Sequence, residues 1–380
     1  MDNSSKKGLS SNKMKIVSIC ALLVSAVLLI SAVSHTNQFF GGKSAKEASV
    51  FNRGQTYNSS EDIPVQSITK TTKVIPMGTS FGIKLFTDGI IVASLTDIQD
   101  EKGYSCPAKD AGIKPGDYIV SAAGQKIENN SELAGIIGKS GGSPVEVVVR
   151  RGEKTFETEI KPVFSGGAFR SGMWIRDSAA GIGTLTFYNP DAGVFAGLGH
   201  GICDMDTSDL MSLDHGEPAA ITLCGIVPGK KDSPGQLQGY FASDEPLGKL
   251  LANNETGVYG RFDEIPQGEL MEVLPKEEVK TGDVKLLVSI DDTGPQLYDA
   301  RIDKINPKDQ MTQNFLVVVT DERLLSATGG IVQGMSGCPI IQDGKLAGAV
   351  THVFIDNPTT GYGIYSETMV VESVVFSMSD

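Results

Sequence analysis

The chain has 380 residues, 40% of them hydrophobic and 21% charged, with 44 glycines and 17 prolines. At roughly 150 residues per domain this length predicts two or three domains, and the turn-rich composition favours β architecture over a helical bundle. Thirty-three Lys and Arg against 46 Asp and Glu leave a net charge of -13, which excludes a general nucleic-acid binder, because phosphate contacts need clustered cations and none occurs beyond the N-terminus.

Residues 1–35 hold Lys6, Lys7, Lys13 and Lys15 ahead of an apolar run at 16–33 that only Ser18, Ser25 and Ser31 interrupt. Such a run, near the lower limit of bilayer-spanning length, reads as a membrane segment with its lysines on the cytoplasmic side. Ala32-Val33-Ser34 also offers small residues where a signal peptidase reads, so a retained anchor and a cleaved signal both fit. The chain beyond residue 35 is expected to be exported. Residues 36–73 are rich in Ser, Thr, Asn, Lys and Gln without a sustained apolar period, the pattern of a flexible tether.

From 74 to 163, strand-like runs at 89–95, 118–122, 145–150 and 155–160 alternate with Gly, Pro and Asp turns. One helical stretch, 130–139, interrupts them, with Ser131 as its expected N-cap and Gly141-Gly142 just beyond its end. After Gly166-Gly167, short apolar runs at 181–187, 284–290, 315–320, 339–341 and 346–354 succeed one another without a long helix. Closely spaced strands of this kind predict a sandwich or a pair of barrels over 164–380. Cys20 lies in the membrane segment; Cys106, Cys203, Cys224 and Cys338 could pair fully in three ways, and their spacing selects none of them.

Two segments of the first β region carry a recognisable combination: Gly78-Thr79-Ser80-Phe81-Gly82-Ile83-Lys84, and 108–124 with Gly112, Pro115 and Gly116 at turns. Together they resemble a bacterial PDZ domain covering 74–163. The resemblance implies that Phe81, Gly82 and Ile83 form a loop whose amides bind a peptide carboxylate, with the following strand offering an edge for β-augmentation.

Only His35, His200, His215 and His352 are histidines. His200, within Gly197-Leu198-Gly199-His200-Gly201, stands among glycines that permit close backbone approach and so suits a general base. Ser336 lies in Gly334-Met335-Ser336-Gly337, a turn in which the amides of Gly334 and Ser336 could converge on one oxyanion. A serine hydroxyl needs a base to take its proton, and the base needs a third group to fix its tautomer. For that group the chain offers Asp321 at the end of an apolar strand, and Asp204, Asp206, Asp209 and Asp214 near His200; residue chemistry alone does not choose. His200, Cys203 and Asp204, with Cys224 or His215, lack paired metal-ligand spacing, so no metal and no cofactor is expected.

Gly197 to Asp204 and Gly329 to Thr351, with the segment 329–337 and Ala349-Val350-Thr351-His352-Val353-Phe354, are together similar to the stage IV sporulation protein B peptidases, over nearly the whole chain. The resemblance implies a mainly β molecule, with an N-terminal membrane segment, a PDZ domain and a chymotrypsin-like double β-barrel. It places a serine-peptidase triad on His200, Asp321 and Ser336. It further implies self-cleavage, a membrane-bound regulatory protein as substrate, action between the membranes around the forespore, and activation of a late mother-cell sigma factor. The rival readings are an envelope quality-control protease, in which the peptidase would precede the PDZ domain, and a non-catalytic PDZ tether.

Overall fold

The computed structural model describes residues 72–101, 103–306 and 311–378. The apolar run at 16–33 and nearly all of the tether lie outside the described residues; among those described, no helix is long and apolar enough to cross a membrane.

Strand β1 (Lys73–Pro76) leads into β2 (Ser80–Leu95), sixteen residues long. The second half of β2 pairs with β3 (Tyr118–Ala122), which continues through β4 (Val145–Arg151) to β5 (Lys154–Ile160). Val145, Val147 and Val149 alternate inward along β4, the period of two that a half-buried strand demands, and pack with Leu133 and Ile137 of helix α1 (Asn130–Lys139). The cap is Asn129, not the expected Ser131: its side chain accepts from the Glu132 amide at 3.0 Å, while the Glu132 carboxylate accepts from the Glu128 amide at 2.9 Å. Reciprocal satisfaction of this kind fixes where a helix starts.

Strand β6 (Met173–Asn189) runs antiparallel to β2 along almost all of its length. Beside β3 it places Ile175 and Arg176 opposite Val92 and Ile91; beyond a register shift between Arg176 and Ser178 it places Gly181 and Gly183 opposite Ile83 and Phe81. The two strands thereby pass from the first sheet into a second. There β6 pairs with β7 (Val194–Gly197), while β2 pairs on its other side with β8 (His215–Val227), itself joined to β9 (Gln236–Pro246). Strands β10 (Gly248–Asn254) and β11 (Gly257–Phe262) extend the sheet from β7.

Six further strands are β12 (Gly282–Val288), β13 (Gln296–Ile305), β14 (Phe315–Val319), β15 (Pro339–Gln342), β16 (Lys345–Val353) and β17 (Thr360–Tyr365). They close into a six-stranded barrel in the order β12-β13-β14-β17-β16-β15. Phe315, Leu286, Val317, Ile340 and Val350 fill it. Helix α2 (Glu322–Thr328) follows β14, and α3 (Ser366–Ser377) ends the described chain.

Three expectations need correction. The double barrel is realised as one closed barrel beside an open, curved sheet, because among the described residues β10 pairs with β11 alone. Phe81, Gly82 and Ile83 are not a carboxylate-binding loop: they lie inside β2, hydrogen-bonded to β6 on one side, with Gly82 and Ile83 also paired to β8 on the other, and Phe81 and Ile83 are buried. A Cβ on Gly82 would stand 2.8 Å from Ile221 Cγ2, so its glycine serves packing of β8. Finally, α3 is a helix of twelve residues where none was expected.

Candidate active site

His200 follows a tight reversal. The Gly199 amide donates to the Gly197 carbonyl at 2.9 Å around Leu198, whose φ is +68°. A hydrogen bond spanning three residues about a positive φ is a γ-turn, rare and strained for a leucine. Burial of Leu198 against the core under β2 and β7 holds it there. Beyond the histidine, Asn253 of β10 accepts from the Ile202 amide at 2.8 Å and donates to the carbonyls of Ile202 and Met211 at 3.0 and 2.9 Å. Buried Asp204 accepts from the amides of Asp206 and Thr207, both at 3.0 Å. Arg176 of β6 reaches across to Asp204 at 2.6 Å and Asp206 at 2.5 Å.

The His200 ring places Nδ1 2.9 Å from the Gly201 carbonyl oxygen. A carbonyl only accepts, so Nδ1 carries the proton and Nε2 presents its lone pair. Desolvation in the cleft pulls the pKa down to about 4, against which the Gly201 bond acts, with His352 adding a smaller downward push. The His352 ring lies 4.6 Å away, centroid to centroid, at 32°.

Ser336 stands on the loop between α2 and β15. Its carbonyl accepts from the Thr184 amide of β6 at 2.9 Å, and the Thr184 hydroxyl donates to the Gly334 carbonyl at 2.7 Å. Gly337 (φ +95°) donates to the Val350 carbonyl at 2.7 Å, and a Cβ there would meet the Leu198 amide at 2.5 Å. Only glycine fits so close a backbone approach. Cys338, two residues on, is buried with its thiol pushed up to about 12 by desolvation, so it remains a neutral packing group. The Ser336 hydroxyl donates to the Thr351 carbonyl at 2.8 Å, not to His200. Among the described residues, neither the Gly334 amide nor the Ser336 amide donates to a protein acceptor.

His200, His352, Gly334 and Ser336 line one cavity of about 530 Å³, which Ile83 also walls. The structure therefore unites His200, Ser336 and the two candidate amides, and it leaves Asp321 out. Asp321 caps α2: its carboxylate accepts from the Arg323 amide at 2.9 Å, from the Arg323 guanidinium at 2.7 and 3.0 Å and from the Asp299 amide at 3.1 Å. Those bonds hold its carboxyl well below the usual carboxylate range. Asp204 and Asp206 are held by Arg176, and Asp214 lies 2.7 Å from His215. Among the described residues no carboxylate bonds to the His200 ring, and the Gly201 carbonyl fixes the tautomer in its place. Thr184 and Arg176, which tie the Ser336 and His200 loops to β6, had no local sequence signal.

The family model of SpoIVB peptidase S55 matches residues 167–370, more than half of the chain. The chain belongs to the SpoIVB peptidase family. It is thus a serine peptidase by family, and residues 105–151 match a PDZ domain model. No curated protein matches the chain. Among solved structures, a PDZ domain of an SdrC-like protein from Listeria monocytogenes is 24% identical, covering 24% of this chain and 90% of its own at a TM-score of 0.19. The active form of the Rv3671c protease of M. tuberculosis is 16% identical, covering 53% of this chain and 75% of its own at a TM-score of 0.32. An inactive serine-to-alanine form of the same protease gives 15%, 44%, 83% and 0.27 for the same four measures.

Proposed function

We propose that this member of the SpoIVB peptidase family is an endopeptidase in which Ser336 is the nucleophile and His200 the general base. The observation that carries the reading is the convergence of a lone-pair-bearing His200 Nε2, the Ser336 hydroxyl and the free amides of Gly334 and Ser336 on one cleft. Turning Ser336 Oγ away from the Thr351 carbonyl hands its proton to Nε2 as the oxygen attacks the scissile carbonyl. The tetrahedral oxyanion falls to the two amides, and His200 returns the proton to the leaving amine. Water then enters by the same route in reverse and frees the acyl group. The Gly201 carbonyl orients the ring throughout.

Family membership supports a regulatory task in sporulation: cleavage of a membrane-bound regulatory protein outside the cytoplasm, leading to activation of a late mother-cell sigma factor. The lysine-flanked run at 16–33 supports attachment to, or export across, a membrane. The polar composition of residues 39–72 supports self-processing, because a peptidase cleft needs an extended strand and a sequence without a sustained apolar period is suited to supply one. A fluorophosphonate probe tests the chemistry: labelling of the wild-type chain that disappears in Ser336→Ala is expected, and equal labelling of both would refute the assignment of the nucleophile.

A further inference from the structure

We propose, on the serine-peptidase reading above, that the cleft selects substrates bearing a short aliphatic side chain on the residue whose carbonyl is attacked. No Asp, Glu, Lys or Arg lines the cavity, although charged residues make up 21% of the chain. With the substrate oxygen on the Gly334 and Ser336 amides, that residue's side chain enters between two walls. One is Ile331-Val332, just before the nucleophile loop, and the other is Thr351 to Val353 at the end of β16.

The floor of this space is filled. Gly361 of β17 lies directly opposite Val353, and a Cβ there would stand 2.7 Å from Ile331 Cδ1. Ile331 is itself 2% exposed, so its side chain occupies the room that a deep pocket between β16 and β17 would need. A long side chain has no depth to enter, and a charged one finds no counter-charge to offset its lost hydration. A branched aliphatic group meets the methyls of Ile331, Val332 and Val353 in a lining without a formal charge from Asp, Glu, Lys or Arg. Hydrophobic pockets separate homologues by about 10- to 200-fold per methylene, and exclusion of a charge is stronger.

The full chain is incubated with a library of peptides, and each cut is mapped by mass spectrometry. Cuts after Val, Ile or Ala that vanish in Ser336→Ala are expected, with Lys, Arg, Asp and Glu depleted about 100-fold or more at that position. Cuts after charged residues that also vanish in Ser336→Ala would overturn the specificity while sparing the peptidase reading. Cuts that persist in Ser336→Ala would overturn the peptidase reading itself. Should the library yield no cuts, peptide aldehydes ending in valine or lysine compete with the fluorophosphonate probe for Ser336. Blocking by valine at about 100-fold lower concentration supports the proposal, equal blocking overturns it, and absent labelling overturns the peptidase reading. Val353→Asp should gain cleavage after Lys and Arg; an unchanged profile in a variant that still takes the probe counts against these walls.

Discussion

The two halves of the active site rest on different kinds of support. Ser336 belongs to a barrel that closes on itself through Lys285 opposite Ile341 and Leu286 opposite Ile340, so its strands leave no open edge. His200 belongs to an open sheet completed by the first half of β2 and the second half of β6, strands that also build the PDZ sheet. In a closed barrel every strand is paired on both sides. The histidine side instead depends on side-chain ties from single strands of its open sheet, chiefly Asn253 of β10 and Arg176 of β6. The Ser336 loop thus draws on a closed barrel as well as on its ties to Thr184 of β6, whereas the His200 loop draws on the open sheet alone.

The strongest test of that contrast is removal of either catalytic group. Ser336→Ala and His200→Ala should each lower peptide cleavage by about 10⁴-fold or more without loss of the folded state by circular dichroism, since each removes a chemical role. Near-normal turnover in either variant sinks the mechanism. Arg176→Ala comes next. It frees Asp204 and Asp206 while leaving every reacting atom in place, and should cost about 10- to 100-fold in kcat/KM, as mispositioning of an intact group does. Faster amide exchange over 202–211, with the barrel strands unchanged, would show that the loss runs through the His200 loop; a uniform rise across both sheets would deny the contrast.

The pH profile follows from the burial of His200. With its pKa drawn down to about 4, the base stays neutral well below the ordinary histidine range, so activity should hold as pH falls past 6.5 and fail only near 4. The same shift affects folding with a definite sign. Between those two values the unfolded chain binds a proton that the folded chain refuses, so this contribution to stability is complete above 6.5 and shrinks as pH falls toward 4. Rates must therefore be read at temperatures far from unfolding, and an acidic limb centred near 6.5 would show that His200 is solvated in the working enzyme.

The smallest effect on catalysis is expected from Asp321→Asn. Because Asn still caps a helix, the substitution should cost about 1 kcal/mol of stability or less, chiefly through loss of the ion pair to the exposed Arg323. Cleavage should stay within about 10-fold of wild type, because a change in packing removes no catalytic group. A loss of several orders of magnitude with an unchanged melting temperature would return Asp321 to the role of orienting acid.

Much of this arrangement was legible locally. The ends of α1 at 130 and 139, the inward valines of β4 and the glycines flanking His200 and Ser336 are all written in short segments. What was missed depends on distant partners. Phe81-Gly82-Ile83 has the same local pattern whether it turns in a loop or lies in a strand, and the choice is made by Gly181, Ile182 and Gly183 on β6 and by Pro218 and Ala219 on β8. Asp321 shows the reverse case. Asp321-Glu322-Arg323-Leu324 is a helix start by its own pattern, with an acidic cap and an acidic first turn, whereas the family resemblance implied an acid of the triad there. Helix α3 escaped because its four valines favour strands; burial of Ser366, Met369, Val370 and Ser373 along one face decides for a helix.

The joint run of β2 and β6 also says how the chain could be edited. Seen from the peptidase, Ser80 to Phe86 and Ser178 to Thr184 are the two arms of an ordinary antiparallel hairpin, and the whole PDZ body is cargo carried at its tip. Cutting the chain at the apparent domain boundary near 163 would delete one arm and bare two unpaired strand edges, an invitation to aggregate. Splicing a short Asn-Gly turn directly between Phe86 and Ser178, which already face each other, would instead lift the cargo off and leave the hairpin whole, because such a turn matches the twist of the strands it joins.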